Sequence, residues 1–266
     1  MIARTTVGSL LRSTQAHCGQ ICSKETLDHG IAYTCERYPT LCEGNQLREV
    51  VVTDAARLAE MFDQTEQWFS GKGLVCQKWA AADGTAGEAL RALLTPRGFR
   101  ETEYRAMTAV RWPKPTAHSH VRILPARAMR QAFRDTFAKS EMSNESPHTI
   151  HLAQAGEERF DDPQWEMFVA LFEGQAAGRC ALYQVGDIAR VMDLEVLPRF
   201  ENRGIAEALL CHVMTLARRL ALRNVCTLVE KDHAPYRSWL ESAGFVDDGE
   251  ITEFLRTGVR ANGGCG

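Results

Sequence analysis

The sequence predicts an α/β fold: a sheet flanked by helices, built from two successive runs of strands and helices. Three observations lead there. Strand-like and helix-like periodicities alternate along most of the 266 residues. Hydrophobic residues make up 45% of the chain, which supplies a sizeable core and excludes wholesale disorder. One segment also echoes another: LRALLTPRGF (90–99) and YRSWLESAGF (236–245) align without gaps at an offset of 146, pairing Arg91 with Arg237, Leu94 with Leu240, Gly98 with Gly244 and Phe99 with Phe245. In each copy a short helix ends at a glycine suited to a left-handed stop, and a phenylalanine opens a strand.

Taken in order, residues 1–44 show no clear periodicity and read as an irregular, cysteine-bearing segment. QLREVVV is a strand. Thr53 or Asp54 is placed to cap a following helix with Leu58, Met61, Phe62, Thr65 and Phe69 on one side. LVCQKWAA is a strand, AGEALRALLTPRGF a helix interrupted near Pro96, and RETEYRAMTAVRW alternates as a strand. PKPTAHSH (113–120) marks a domain boundary. Beyond it come the strand VRILPA, a helix through RAMRQAFRDTFAKSEM, and a polar, loop-like stretch NESPHTIHLAQAGEERFDDP with some short helix. QWEMFVALFEG and QAAGRCALYQVGD form a strand pair turning near Gly174-Gln175, and IARVMDLEVLP is a third strand. A glycine turn, the helix 204–222, the strand NVCTLVE, the helix APYRSWLESAG and a terminal strand or hairpin FVDDGEITEFLRT complete the chain. The division is therefore 1–44, 45–113, 118–258 and a flexible tail 259–266.

A net charge of −3 argues against a protein that coats nucleic acid. No window approaches 18 consecutive apolar residues, so no membrane span is expected. The N-terminus lacks the long apolar core of a secretory signal, and a cytoplasmic location is the expectation. Of nine cysteines, Cys76, Cys180, Cys211 and Cys226 sit in apolar stretches and read as small buried hydrophobes. Cys18, Cys22, Cys35 and Cys42 cluster near His17 and His29, but intervals of three, twelve and six residues fit no common zinc pattern. No metal is expected.

The stretch LPRFENRGIAEALL (197–210) carries the chemistry. It passes from an apolar strand into an amphipathic helix whose apolar positions are Ile205, Leu209, Val213, Leu216 and Leu220. A glycine at a helix opening costs about 1 kcal/mol relative to alanine. A bare backbone there leaves the unpartnered first N–H groups of the helix open to an anion. Gly204 and Ala206 supply that clearance.

With this turn in place, the order of elements in 118–258 resembles the GCN5-related N-acetyltransferase (GNAT) superfamily. VMDLEVLPRFENRGIAEALL is similar to its acyl-CoA-binding segment: Val196 and Pro198 match the strand end, and Gly204 and Ala206 the last two positions of the loop that cradles the CoA pyrophosphate. YRSWLESAGF is similar to the later helix that closes in Gly-Phe. The resemblance implies a mixed, mostly antiparallel sheet flanked by helices, and the echo implies two tandem copies with the first degenerate. It further implies acetyl-CoA as co-substrate. The turn Asn202, Arg203, Gly204, Ile205 and Ala206 would then hold the diphosphate, the main chain at Leu194–Val196 the pantetheine arm, and Asp232 the position of a CoA-contacting asparagine. Two positions depart from the family pattern: Glu201 stands where Arg or Gln is usual, and Leu240 where a tyrosine usually protonates the thiolate. Tyr236, one turn earlier, is the nearest substitute.

Acyl transfer to an amine requires a neutral, oriented nitrogen and a proton acceptor. Simple alternation puts Asp193 and Glu195 on one strand face, with Met192, Leu194 and Val196 on the other. Glu195 is the first candidate base and Asp193 the second, unless an arginine of ARAMRQAF (126–133) pairs with them. The expected reaction is acetyl transfer to a primary amine of a small molecule or peptide. A same-fold transferase using aminoacyl-tRNA and an inactive acyl-CoA-binding module are the alternatives, a nucleic-acid partner not being expected. Residues 141–163 and the first half would shape the acceptor pocket. The assembly, monomer or homodimer, is left open.

Overall fold

In a computed structural model of the protein, which describes residues 7–52, 57–85, 87–113, 120–138 and 146–257, every strand joins one eleven-stranded sheet. The first half contributes β1 (Ser23–Leu27), β2 (Gly30–Thr34), β3 (Gln46–Val50), β4 (Lys78–Ala81) and β5 (Phe99–Ala109). The second contributes β6 (Val121–Pro125), β7 (Trp165–Phe172), β8 (Gln175–Val185), β9 (Ile188–Val196), β10 (Asn224–Glu230) and β11 (Phe245–Arg256). Their spatial order is β1-β2-β3-β4-β11-β5-β10-β9-β8-β7-β6. Only β3–β4 and β9–β10 run parallel; all other pairs are antiparallel, as the resemblance implied.

The centre of this order is symmetric. Each half runs strand, helix, strand, helix, strand: β3, α2 (Leu58–Gly71), β4, α3 (Glu88–Leu94), β5, and then β9, α6 (Ile205–Arg219), β10, α7 (Ala234–Ser242), β11. The last strand of each half pairs with the parallel pair of the other, β11 with β4 and β5 with β10. Residues 114–119 of the expected boundary lie outside the described residues, and what they connect are two halves interleaved through one sheet. Gly98 (φ 81°) and Gly244 (φ 101°) both adopt the left-handed stop expected from the echo. Thr53 and Asp54, the expected caps of α2, and the tail beyond Thr257 also lie outside the described residues.

Alternation along the strands sorts the helices. Leu47, Trp79, Phe99 and Phe254 pack with α2 and α3, and Ala189, Val191, Leu194 and Phe245 with α6 and α7. The opposite face meets α1 (Val7–Ile21), α4 (Arg130–Ala138) and α5 (Pro147–Glu158). Residues 1–44 are therefore not irregular where described. Leu10 and Leu11 of α1 pack against Tyr104, Ala106, Ile188, Cys226 and Ile251, while β1 and β2 extend the sheet edge. The loop-like reading of 144–163, with only some short helix, is likewise corrected from residue 146 onward. α5 is a twelve-residue helix started by Pro147, with Ser146 Oγ accepting the Thr149 N–H at 3.2 Å, and Gly156 lets Phe133 pack closely against it.

α6 buries Ile205, Leu209 and Val213 as predicted, but it ends at Arg219, and Leu220 beyond it is 44% exposed. The β7–β8 hairpin turns through Glu173 and Gly174, both at positive φ. FVDDGEITEFLRT forms a single strand with a bulge between Asp247 and Glu250 rather than a hairpin. Cys76, Cys180 and Cys226 are buried, whereas Cys211 is only half-buried. No helix among the described residues is long and apolar enough to cross a membrane.

Candidate functional site

Two parallel strands that part company define the site. β9 and β10 share a ladder only from Ile188–Asn224 to Arg190–Cys226. β10 nevertheless continues to Glu230 and β9 to Val196, so the strands form a fork whose closed end is at Arg190 and Cys226. On its other side β9 stays paired with β8, with a register shift between Ala181–Met192 and Arg179–Glu195. That shift is a bulge at Asp193, a non-glycine residue at φ 51°. The bulge breaks the alternation expected from sequence. Ala189, Val191 and Leu194 face the core under α6, whereas Met192 and Glu195 face the side of α4. Asp193 and Glu195 are thus not simple alternate neighbours on one face.

Gly178, opposite Val196, makes the close passage possible. A Cβ on it would lie 2.5 Å from the Glu195 carbonyl oxygen and 3.3 Å from the Val196 Cα, both backbone atoms. Gly178→Ala is therefore expected to destabilise the protein by about 1–3 kcal/mol. A lower urea midpoint with an unchanged m-value checks this.

β9 leaves through Pro198 and Phe200 into the turn. Asn202 (φ 58°) and Gly204 (φ 74°) both take left-handed conformations, and α6 starts immediately afterwards. Gly204 and Ala206 are half-buried, and no side chain caps the helix. The N–H groups of the first turn therefore have no intrahelical acceptor. Glu201 is exposed and lines the mouth of the adjoining cavity. Arg203 is turned aside, its guanidinium 5.3 Å from the Phe172 ring centre, and Arg199 lies over Phe200.

The fork opens into a cavity of about 470 Å³ on the α1 side of the sheet. Met192, Asp193, Leu194, Glu195 and Val196 form one wall with Leu228 of β10. The far wall comes from the first half: Thr14, His17 and Cys18 of α1, Gln46 and Arg48 of β3, Lys78 of β4. α5 closes one side through Leu152 and Gly156, so the first half and α5 both line the cavity.

Charges in the cavity are mostly matched. Glu195 pairs with Arg179, its cross-strand neighbour on β8, instead of with an arginine of residues 126–133. Arg179 is 8% exposed at its side chain and stacks over Phe137 at 3.7 Å. Glu253 of β11 receives Lys78 at 2.9 Å and Arg48 at 2.8 Å, all three nearly fully buried. Burial would raise the Glu253 carboxyl, but these two cations outweigh it and hold the pKa at about 2. Burial, reinforced by Arg159, Arg190, Lys78 and Arg48, pushes His17 well below its ordinary value and keeps it a neutral imidazole.

Tyr236 and Asp232 are placed differently. Tyr236 is half-buried on α7, stacked on Trp239 with ring centres 5.4 Å apart, and is not among the residues lining the cavity. Leu240 is fully buried beneath it. Asp232 is exposed just before α7. Arg179, Arg190 and His17 were not foreseen. The signal was present in GRCALY and IARVM, where a single arginine interrupts an apolar strand.

Residues 126–245 match the acetyltransferase (GNAT) family. No curated protein matches the chain by sequence. Several solved structures share its fold over most of its length. A functionally unknown conserved protein from Staphylococcus epidermidis is 13% identical with a TM-score of 0.69, over 88% of this chain and 94% of its own. A GCN5-related N-acetyltransferase from Kribbella flavida is 10% identical with a TM-score of 0.65, over 96% and 97%. Another from Sphaerobacter thermophilus is 17% identical with a TM-score of 0.58, over 90% and 84%. At these identities the likeness is one of fold.

Proposed function

Residues 126–245 match the GNAT family, and from that premise we propose that the chain transfers an acetyl or other acyl group from acyl-CoA to a primary amine. The observation that carries the reading is the fork. On the β10 side, the main chain of residues 192–196 has no strand partner, and it faces the cavity beside a turn of bare helical N–H groups. In this reading the turn Asn202–Ala206 holds the diphosphate of the donor. The β9 main chain at Leu194–Val196 takes the pantetheine arm and directs an N–H at the thioester oxygen as negative charge develops on it. The residues present fit such a donor, with one opposing feature, the Glu201 carboxylate at the mouth.

Glu195 is the proposed proton acceptor for the incoming amine, directly or through a water, and Asp193 at the bulge is the second candidate. Arg179 fixes one Glu195 oxygen, Oε2, and leaves Oε1 for this role. Tyr236 is retained as the hydroxyl that protonates the departing thiolate, and Asp232 as a donor contact. The interleaved halves are read as a duplication. The first copy has lost the donor turn, since residues 51–58 contain no glycine.

Calorimetry with acetyl-CoA and thiol release across a panel of amines test this reading. Glu195→Gln is expected to lower kcat about a hundred-fold. Asp193→Asn is expected to cause a smaller loss, and Tyr236→Phe a loss in kcat with KM for acetyl-CoA unchanged. Full activity of both acid variants would remove the base assignment. Binding without turnover of any amine would leave an acyl-CoA-binding module.

A further inference from the structure

Among the described residues, one buried cation of the cavity has no carboxylate. Arg48 and Lys78 share Glu253, and Arg179 holds Glu195. Arg190 of β9 is 8% exposed and lines the same cavity. Among the described residues its side chain bonds from Nη1 to the uncharged Thr14 hydroxyl at 2.8 Å. Its Nε is buried without a partner, and it forms no ion pair among the described residues. At the same end of the cavity Arg159, stacked over Trp165, also has a buried Nε without a partner, as has His17 at Nδ1. A guanidinium taken out of water with only a hydroxyl for company is uncompensated. The uncommitted Nε–Nη2 edge is the geometry that receives a carboxylate through two parallel hydrogen bonds.

The location says which molecule would bring that carboxylate. Arg190 stands at the closed end of the fork, at the last β9–β10 ladder pair, and the bulge at Asp193 is three residues further along. Three strand residues span about 10 Å, and the arginine side chain reaches across part of it. The donor turn at Gly204 lies beyond the open end. A donor anchored there presents its thioester at the bulge and leaves Arg190 behind it, on the acceptor's side. We propose that Arg190 is the specificity residue for the acceptor and binds a carboxylate carried by it, so that the substrate class is amino acids or short peptides rather than simple amines or polyamines. This rests on the acyl-transfer reading above.

The test compares matched acceptors with and without the carboxylate, such as lysine against cadaverine and γ-aminobutyrate against propylamine, in the wild type and in Arg190→Gln. The wild type is expected to favour the acid by a hundred-fold or more in kcat/KM. Arg190→Gln is expected to erase that ratio by loss on the acid alone, with Arg190→Lys intermediate because it keeps the charge without the fork. Equal use of both acceptors by the wild type, or an equal loss on both in Arg190→Gln, overturns the proposal. Thermal unfolding of Arg190→Met supplies a check on folding: removal of an uncompensated buried charge is expected to hold or raise the midpoint, and a large fall overturns the unpaired reading. Should no amine be turned over, acyl transfer itself fails. Calorimetry of the same ligands without acetyl-CoA then still decides the anion subsite: binding of the acid that depends on Arg190 sustains it, and its absence removes it.

Discussion

Gly204→Val is expected to weaken acetyl-CoA binding by a hundred-fold or more while the protein stays folded. The residue sits at φ 74° and ψ 12°, immediately before α6. An L-residue there costs roughly 1–2 kcal/mol, and a β-branched one fits worst. Against a total stability on the order of 5–15 kcal/mol, the fold survives that loss. Binding does not survive, because two obstacles coincide. Valine places methyl groups over the N–H groups that a diphosphate would approach, and relief of the left-handed strain rotates those same groups away. A hundred-fold loss corresponds to about 2.7 kcal/mol, the scale of one or two charge-assisted hydrogen bonds. Gly73→Ala separates strain from obstruction. Gly73 has φ 69° just after α2 in the first half, with open space around it, so alanine there adds comparable strain away from the donor turn. Its acetyl-CoA affinity, measured by calorimetry, is expected to match the wild type. Wild-type affinity in Gly204→Val would instead mean that the turn does not hold the donor.

The turn was readable because its requirements are local. A strand end, a glycine and an apolar helix face leave their pattern in fifteen consecutive residues, and the fold gave each of them the expected place. Other features depend on distant partners. Asp193 carries no sequence mark of its bulge, since a left-handed aspartate is imposed by the strand on either side and by Gly178 opposite. The exchange of β5 and β11 between halves is likewise silent, because each strand alternates in the same way whichever neighbour it meets. α1 was hidden for a chemical reason. Thr14 and His17 are buried, and their polarity reads as a solvated loop when the surface they face is in truth a charged cavity. The same misdirection applies to Arg48, Lys78 and Glu253. In sequence they are three ordinary surface charges, and only the sheet brings them together.

That triad carries the largest stability effect expected in the molecule. Lys78 and Arg48 come from β4 and β3, and Glu253 from β11, so the cluster ties the first half of the sheet to the last strand of the second. Glu253→Ala leaves Arg48 buried without a carboxylate and Lys78 with only the longer 3.9 Å contact to Glu43, and removal of one member of a buried pair typically costs about 3–5 kcal/mol. A fall of that size in urea-unfolding free energy is expected, with weakening of the β4–β11 pairing inside the sheet as the structural consequence. The acid limb tests the same cluster independently. The Glu253 carboxyl moves from an ordinary 4.5 to about 2 on folding. A depressed carboxyl contributes stability above its unfolded value and loses it as pH falls towards its folded value. The contribution is on the order of 3 kcal/mol, full above pH 5 and lost by about pH 2. Glu253→Gln retains the shape but cannot titrate, so the difference between wild type and this variant should shrink steadily across that window. A difference that stayed constant with pH would show that the glutamate does not carry its charge into the folded protein, and that the two cations are held by something other than this ion pair.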